Sequence, residues 1–237
     1  MSQRLYQLSA NSLAFPPVEN ALTDPNGLLA IGGDLSCQRL ISAYKNGIFP
    51  WFSEHDPLLW WSPNPRAIIK IADIKINKTL KKFLNKHPFT VTLNNDFKQV
   101  IELCSDAPFR KDGTWILPPM LNAYQKLHQQ SVAHSIEVWH QQALVGGLYG
   151  IAINGFFSGE SMFYTQSNAS KVALVYLAHH LNKVGIQFID CQLQNPFLES
   201  MGCTEITREN FVKLKEEALD ICLPENFWQA QQLHLTF

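Results

Sequence analysis

An Asn-Gly pair joins two apolar runs in the second half of the chain, and this junction constrains the fold more than any other feature. Residues 144–153 precede Asn154-Gly155, and residues 156–163 follow it. Asn-Gly suits a two-residue hairpin turn, because both turn positions need positive φ angles. The junction therefore predicts two neighbouring antiparallel strands.

The segments around this hairpin predict an α+β domain with a mostly antiparallel sheet and one strand–helix–strand crossover. Short apolar runs indicate strands, and apolar residues three or four positions apart indicate helices. Besides the hairpin, the predicted strands are residues 67–71, 90–93, 135–139 and 186–193. The predicted helices are residues 77–86, 96–104, 119–130, a segment from Asn168 or Ser170 to Lys183, and residues 207–219.

The first sixty residues predict turns around one helix. Ser36 suits the N-cap of this helix, and Gly47 suits the position after its last turn. The two prolines of Ser62-Pro63-Asn64-Pro65 favour extended backbone and mark a linker. We therefore expect a small N-terminal domain over residues 1–62 and a second domain over residues 63–237.

Composition excludes several classes of protein. Hydrophobic residues make up 46% of the chain and charged residues 16%, which suits a sizeable core and excludes a disordered chain. The five cysteines form no Cys-x-x-Cys pair, so we expect no disulfide framework or cysteine zinc site, and a reducing cytoplasm fits. The first residues lack the apolar core of a secretory signal, and the apolar stretch at 144–157 is shorter than the ~20 residues that span a bilayer. No glycine-rich motif of ATP or nicotinamide enzymes occurs.

Lysines concentrate between residues 70 and 86. Six lysines and Asp73 give this segment a charge of +5, whereas the whole chain carries −1. Lys78, Lys82 and Lys86 recur every four residues and so share one face of the predicted helix, with Lys75 just before it. Such a face either binds a phosphate backbone or is simply solvated, and the pattern leaves both interpretations open.

Four tryptophans are aromatic platforms that can stack on a nucleobase: Trp51, Trp60, Trp61 and Trp115. Tryptophans near a domain junction are also common in the core, and a carbohydrate-binding surface uses the same residue type. The sequence leaves these three interpretations open.

Two acids lie in segments that otherwise predict buried strands. Glu160 belongs to the second hairpin strand, and Asp190 precedes Cys191 and Gln192 in the strand at 186–193. Side chains two positions apart share a face, so Asp190 and Gln192 should lie about 6–7 Å apart while Cys191 turns into the core. A buried carboxylate is costly unless it is hydrogen-bonded, so the Asp-x-Gln pattern indicates a site rather than a fold element. Neither strand offers the ligand spacing of a metal site.

Nine short strings of the chain together resemble one known family. They are PNGLLAIGGDL (25–35), GIFPWF (47–52), WWSP (60–63), GTWI (113–116), AHSIEVW (133–139), LVGGLYG (144–150), GESMF (159–163), NASK (168–171) and IDCQ (189–192). Each string is weak alone, but all nine occur in order within residues 15 to 212. The chain thereby resembles the leucyl/phenylalanyl-tRNA–protein transferases.

The resemblance implies a fold, a reaction and its partners. The implied C-terminal domain is similar to the GCN5-related N-acyltransferases. The implied reaction moves Leu or Phe, and less readily Met, from aminoacyl-tRNA to the α-amine of proteins that begin with Arg or Lys, which marks them for degradation by the N-end rule. The implied enzyme is a cytoplasmic monomer that uses no cofactor or metal, since the aminoacyl ester is already activated.

The resemblance also implies roles for individual residues. Asp190 orients Gln192, the carbonyl of Gln192 draws a proton from the attacking amine, and Glu160 holds the aminoacyl ammonium. Trp51 and Trp115 flank the terminal adenosine. The phosphates of the acceptor stem are assigned to Lys75, Lys78, Lys82 and Lys86. The donor side chain is assigned to Leu148, Phe157, Met162 and Ile189, and Gly159 is assigned to substrate binding.

Two positions depart from the family pattern, and two other classes of function stay as alternatives. Leu148 and Leu181 replace a Met and an aromatic residue that members can carry, which leaves the preference between Leu and Phe open. An acyl-CoA-dependent N-acetyltransferase would need a glycine-rich loop after the second hairpin strand, and residues 164–171 contain no glycine. A non-catalytic module that binds tRNA or sugar would leave Asp190 and Gln192 without a purpose.

Overall fold

The chain forms two β-sheets of different size, which the computed structural model describes over residues 4–107 and 114–235. The first sheet contains β1 (Tyr6–Leu8), β2 (Leu28–Gly32), β3 (Phe49–Pro50) and β4 (Leu59–Trp61). The second contains β5 (Arg66–Lys70), β6 (Thr90–Leu93), β7 (Ala133–His140), β8 (Ala143–Ile153), β9 (Phe156–Tyr164), β10 (Phe188–Gln192), β11 (Thr204–Ile206) and β12 (Gln231–Gln232). Gly113, at the start of the GTWI string, lies outside the described residues.

The helices lie between these strands along the chain. They are α1 (Cys37–Lys45), α2 (Lys78–Leu84), α3 (Phe97–Ser105), α4 (Pro118–Gln129), α5 (Ala169–Asn182), α6 (Pro196–Ser200) and α7 (Arg208–Leu219). The side chains of Ser36 and Thr207 accept hydrogen bonds at the starts of α1 and α7, as their N-cap positions predict. No helix in the described ranges is long and apolar enough to cross a membrane.

The predicted hairpin and the α+β class are confirmed. β8 and β9 pair antiparallel with Ile153 opposite Phe156, and Asn154 has a φ of 51°. The larger sheet has the order β11-β5-β10-β9-β8-β7-β6-β12. β9 and β10 pair in parallel, and α5 makes the predicted crossover between them.

Two predictions for local structure are wrong. The N-terminal segment is not merely turns around a helix, because β1, β2, β4 and β3 form a four-stranded sheet whose strands of two to five residues are too short to show alternation. The predicted helix at 77–86 is α2 and ends at Leu84. Lys86 therefore lies beyond the helix, and only Lys78 and Lys82 share its face.

Apolar side chains cover both faces of the larger sheet. Tyr149 and Ile151 of β8 belong to one buried cluster together with residues of α1, α3 and α4. Leu148 and Ala152 belong to a second cluster together with α5. Neighbouring residues of a strand point to opposite faces, so helices pack on both sides of the sheet. The first cluster also includes the core of the N-terminal segment, which joins the two sheets through shared apolar contacts.

Candidate active site

A cavity of about 680 Å³ opens where β9, β10 and α5 meet the end of β3. Much of its lining is apolar and includes Leu148, Met162, Leu174, Leu177, Ile189, Phe197 and Leu198. Its polar part includes Glu160 and Gln192. The cavity therefore presents an apolar compartment next to two side chains that can hydrogen-bond.

Most of the residues assigned to the donor lie around this cavity. Trp51, Trp115, Leu148, Gly159, Glu160, Met162, Ile189 and Gln192 all line it. A Cβ on Gly159 would make ordinary contacts at 3.6 Å or more with Asp190 and Ile189, so packing does not require glycine at this position of the lining. Phe157 is not brought to the lining. It is buried and stacks on Trp228 of the C-terminal segment, at 5.8 Å between ring centroids.

The tryptophans divide between the core and the cavity. Trp60 is fully buried and its Nε1 donates to the carbonyl of Gly32, so it is a core residue. Trp51 is 43% exposed at the cavity and packs edge-on against Trp61, whose Nε1 donates to the Trp51 carbonyl. Trp115 lines the cavity and is half-buried. Trp51 and Trp115 are therefore the two of the four that line the cavity.

Asp190 lies beneath the cavity rather than in its lining, and it is fully buried. Its two oxygens accept from Nε and Nη2 of Arg66 at 2.8 and 2.7 Å, a two-point ion pair. Arg66 is itself buried, lies over the rings of Phe49 and Phe211, and donates through Nη1 to the Gly47 carbonyl. The charge of Asp190 is thus compensated inside the protein.

Sequence reasoning missed Arg66. The signal available was one arginine at the start of an otherwise apolar strand, directly after the proline linker. Its partner lies 124 residues further along the chain, so no local pattern connects the two.

Gln192 stands at a local distortion of β10. The pairing of β10 with β5 shifts register between Asp190 and Gln192, and Gln192 has a left-handed φ of 56°. Its Nε2 donates to Ser158 Oγ at 2.8 Å and to Glu160 Oε1 at 3.3 Å. A non-glycine residue in this conformation is strained, and such strain clusters at functional sites. Glycine would adopt this backbone without strain, so it is the side chain of Gln192 that explains why glutamine occupies the position.

Asp190 and Gln192 are linked through Ser158. Ser158 is buried, donates to Asp190 Oδ2 at 2.9 Å, and accepts from Gln192 Nε2. Asp190 contacts Gln192 directly only through the backbone N–H of Gln192, at 3.2 Å. The predicted pair therefore exists, but the side-chain amide is oriented by an intervening hydroxyl that the sequence pattern did not reveal.

Glu160 is held by groups from both halves of the chain. Its Oε2 accepts from the hydroxyl of Tyr124 at 2.9 Å, and that hydroxyl is hydrogen-bonded to the hydroxyl of Tyr44. Burial raises the pKa of Glu160 to about 7, although the hydroxyls of Tyr44 and Tyr124 lower it. A carboxyl group of this kind exchanges a proton near neutral pH.

Cys191 does not turn into the core as expected. It is half-buried and lines the cavity, because the distortion between Asp190 and Gln192 interrupts the regular alternation. A hydrogen bond with Cys203, together with burial, raises the pKa of the Cys191 thiol well above its ordinary value. The thiol is therefore protonated at neutral pH and is a poor nucleophile.

The four lysines assigned to phosphates are all exposed. Lys78 and Lys82 lie on α2, Lys75 precedes the helix, and Lys86 follows it. All four follow β5 along the chain, within a segment of twelve residues.

The family model described as leucyl/phenylalanyl-tRNA protein transferase matches residues 68–216, and the model of that family's N-terminal domain matches residues 33–64. A leucyl/phenylalanyl-tRNA–protein transferase of Colwellia psychrerythraea is 62% identical over 98% of this chain and 99% of that protein. The protein of the same name from Pseudoalteromonas translucida is 50% identical over the full length of both chains.

Solved structures with a similar course of the chain have low identity. A GCN5-related N-acetyltransferase from Kribbella flavida is 9% identical, with a TM-score of 0.40 over 70% of this chain and 60% of that one. The structure of L-PGS from Bacillus licheniformis is 14% identical, with a TM-score of 0.40 over 71% of this chain and 54% of that one.

Proposed function

Because the chain belongs to the leucyl/phenylalanyl-tRNA–protein transferase family, we propose that it transfers Leu or Phe, and less readily Met, from aminoacyl-tRNA to the α-amine of proteins that begin with Arg or Lys. The observation that carries this proposal is the two-part cavity, whose apolar compartment adjoins Glu160 and Gln192. The acceptor gains a new N-terminal residue, which marks it for N-end-rule degradation in the cytoplasm.

The reaction exchanges an activated ester for an amide, so the site has to bring two reactants together. The acceptor α-ammonium, with a pKa of about 7.7–8.0, must lose a proton before it attacks the ester carbonyl carbon. The new C–N bond forms, the C–O bond to the ribose breaks, and the ribose oxygen leaves with a proton. Proximity and orientation supply a large part of such a rate enhancement.

We assign the contact with the attacking amine to Gln192. Both hydrogens of its amide are donated, one to Ser158 and one to Glu160, so its carbonyl oxygen is left to accept from the amine. An amide oxygen is a weak base, and we therefore expect placement of the amine to matter more than removal of its proton. Asp190 acts indirectly: it accepts a hydrogen bond that orients the Ser158 hydroxyl, and that hydroxyl in turn orients the amide of Gln192.

We assign the apolar compartment to the donor side chain and Glu160 to the donor ammonium. Leu148, Met162 and Ile189 line the compartment, and Gly159 lines the cavity directly before Glu160. Leu181 is fully buried and lies outside the lining, so we expect Leu148 and Met162 to set the preference between Leu and Phe.

Replacing Met162 with Ala is expected to lower kcat/KM for Leu transfer, and the decrease should correspond to about 1–3 kcal/mol of lost transition-state stabilisation. The reason is that the Leu side chain then packs against less apolar surface. Transfer of the bulkier Phe should decrease less. Competition between Leu-tRNA and Phe-tRNA in one reaction measures the ratio directly. Met201→Ala is a matched control, since Met201 is buried but lies outside the cavity lining. Equal loss for both donors in a folded Met162→Ala protein would show that Met162 does not contact the side chain.

We assign the adenosine end of the tRNA to Trp51 and Trp115, and the acceptor-stem phosphates to Lys75, Lys78, Lys82 and Lys86. Stacking on exposed indole faces suits any nucleobase, and exposed lysines bind phosphates without reading the sequence. Lys has no bidentate fork, so we expect each phosphate contact to be a simple charge contact.

Replacing Lys78, Lys82 and Lys86 together with Ala is expected to weaken aminoacyl-tRNA binding and to flatten its salt dependence, by about one unit of log–log slope for each phosphate that the variant no longer binds. Transfer from a minimal aminoacyl-adenosine donor should stay unchanged. Lys98→Ala with Lys126→Ala removes lysines from α3 and α4 and serves as the control. An equal decrease on both donors would place the phosphates elsewhere.

We also propose the domain division at residues 62 and 63 and a monomeric enzyme. The four-stranded sheet ends at Trp61 and the eight-stranded sheet begins at Arg66, which supports a boundary in the linker between them. Separate expression of residues 63–237 tests whether the second domain folds without the first.

The proposed function is tested by transfer of labelled Leu from Leu-tRNA to a peptide that begins with Arg, beside the same peptide beginning with Ala. We expect product only with Arg, together with release of deacylated tRNA. The same assay with labelled acetyl-CoA tests the acetyltransferase alternative. Acetylation without Leu transfer would overturn the proposal, and so would tRNA binding without transfer.

A further inference from the structure

Two buried tyrosines outside β9 and β10 form a chain of hydrogen bonds that ends at Glu160. Tyr44 comes from α1 and Tyr124 from α4, and the two are 1% and 0% exposed. The Tyr124 hydroxyl donates to Glu160, and the Tyr44 hydroxyl lies within hydrogen-bond distance of the Tyr124 oxygen. A hydroxyl has one hydrogen, and Tyr124 uses its own for Glu160, so Tyr44 is the donor to Tyr124.

Glu160 connects these tyrosines to Gln192. Its Oε2 is taken by Tyr124, which leaves Oε1 for Nε2 of Gln192 at 3.3 Å. The second hydrogen of the Gln192 amide goes to Ser158 Oγ. Only this orientation of the amide satisfies two acceptors, and it turns the Gln192 carbonyl oxygen away from both. An ionised and correctly rotated Glu160 is therefore part of what fixes Gln192.

We propose that Tyr44 and Tyr124 are positioning residues for the transfer reaction, which hold Glu160 in its ionised form and, through it, fix the amide of Gln192. This inference rests on the proposed function. It also means that α1 of the N-terminal segment contributes to the transfer reaction, since Tyr44 is the first donor in the chain of hydrogen bonds to Glu160.

The groups around Glu160 determine the direction in which its pKa should change when a tyrosine hydroxyl is removed. The pKa of Glu160 is raised to about 7; burial is the largest cause, Asp190 of β10 adds to the rise, and Arg66 of β5 opposes it. The hydroxyls of Tyr44 and Tyr124 lower the same pKa. Burial also raises the pKa of both tyrosines well above the ordinary value of about 10, so both keep their donated hydrogen at neutral pH.

Replacing Tyr124 with Phe removes the hydroxyl but keeps the ring, and it is expected to raise the pKa of Glu160 by about one unit. Glu160 ionises as pH rises through its pKa, so the transfer rate of the variant should decrease most at and below neutral pH and recover in alkaline solution. The ratio of variant to wild-type single-turnover rates should be about one fifth at pH 7 and approach one at pH 9. Tyr44→Phe should shift the ratio in the same direction, because the Tyr44 hydroxyl also lowers the pKa of Glu160.

The ratio is measured with Leu-tRNA and an Arg-starting peptide from pH 6 to pH 9, well below the thermal midpoint of each variant. Tyr176→Phe is the matched control, since this buried tyrosine of α5 loses a bond to His87 away from the cavity and should keep a ratio of one throughout. An unchanged ratio for Tyr124→Phe, or a decrease equal at every pH, would overturn the inference. If wild type transfers no Leu, the proposed function fails instead.

Discussion

Gln192→Ala is expected to lower the single-turnover rate of Leu transfer by about 10²–10⁴-fold, the usual effect of removing a group that positions or accepts a transferred proton. The attacking amine loses the carbonyl oxygen that the hydrogen bonds from the amide to Ser158 and Glu160 hold in place. Affinity for aminoacyl-tRNA should hold, because the contacts proposed for the adenosine and phosphates are untouched.

The matched control for this change is Gln187→Ala. Gln187 is an exposed glutamine immediately before β10, so its variant reports any general effect of shortening a glutamine near this strand. Ser158→Ala is expected to give a smaller decrease, because it removes the hydroxyl link to Asp190 but leaves the Arg66–Asp190 ion pair intact. A normal transfer rate in a folded Gln192→Ala protein would show that Gln192 takes no part in the reaction.

The sequence predicts those parts of the site that one strand or one turn carries. The Asn154-Gly155 turn fixes the register of β8 and β9 as far as Gly150 opposite Gly159. Beyond that pair an irregularity that the sequence did not reveal shifts the register by one residue and brings Leu148 opposite Met162 in the cavity wall. Glu160 and Asp190 are conspicuous because acids are costly in apolar strands. Phe157 shows where this reasoning ends, because its partner Trp228 lies in a C-terminal segment with no recognisable pattern.

The remaining parts of the site are tertiary contacts, and periodicity does not report them. Tyr44 and Tyr124 are 80 residues apart, and each belongs to an amphipathic helix in which a tyrosine on the buried face is ordinary. Ser158 is one of several small residues in β9, and only its position between Asp190 and Gln192 gives it a role. The local distortion at Gln192 is likewise invisible from alternation, which led to the wrong placement of Cys191.

Arg66→Ala is expected to destabilise the protein by about 3–5 kcal/mol, because it leaves the Asp190 carboxylate buried without its partner. Both side chains of the pair are no more than 1% exposed, so solvent cannot compensate for the change. Lys213→Ala provides the contrast, since the Lys213–Glu209 pair on α7 is exposed and such pairs contribute little to stability. Chemical denaturation of the three proteins gives the comparison.

The same pair separates the structural role of Asp190 from its role in the reaction. Asp190→Asn alone leaves Arg66 as an uncompensated buried cation, so it too should unfold more readily. The double change Arg66→Met with Asp190→Asn leaves no buried charge at this pair and is expected to regain most of the stability. Transfer should stay slow in that double variant, because Ser158 loses the charged acceptor that orients it toward Gln192. A double variant that regains both stability and rate would show that the ion pair serves only to hold β5 against β10.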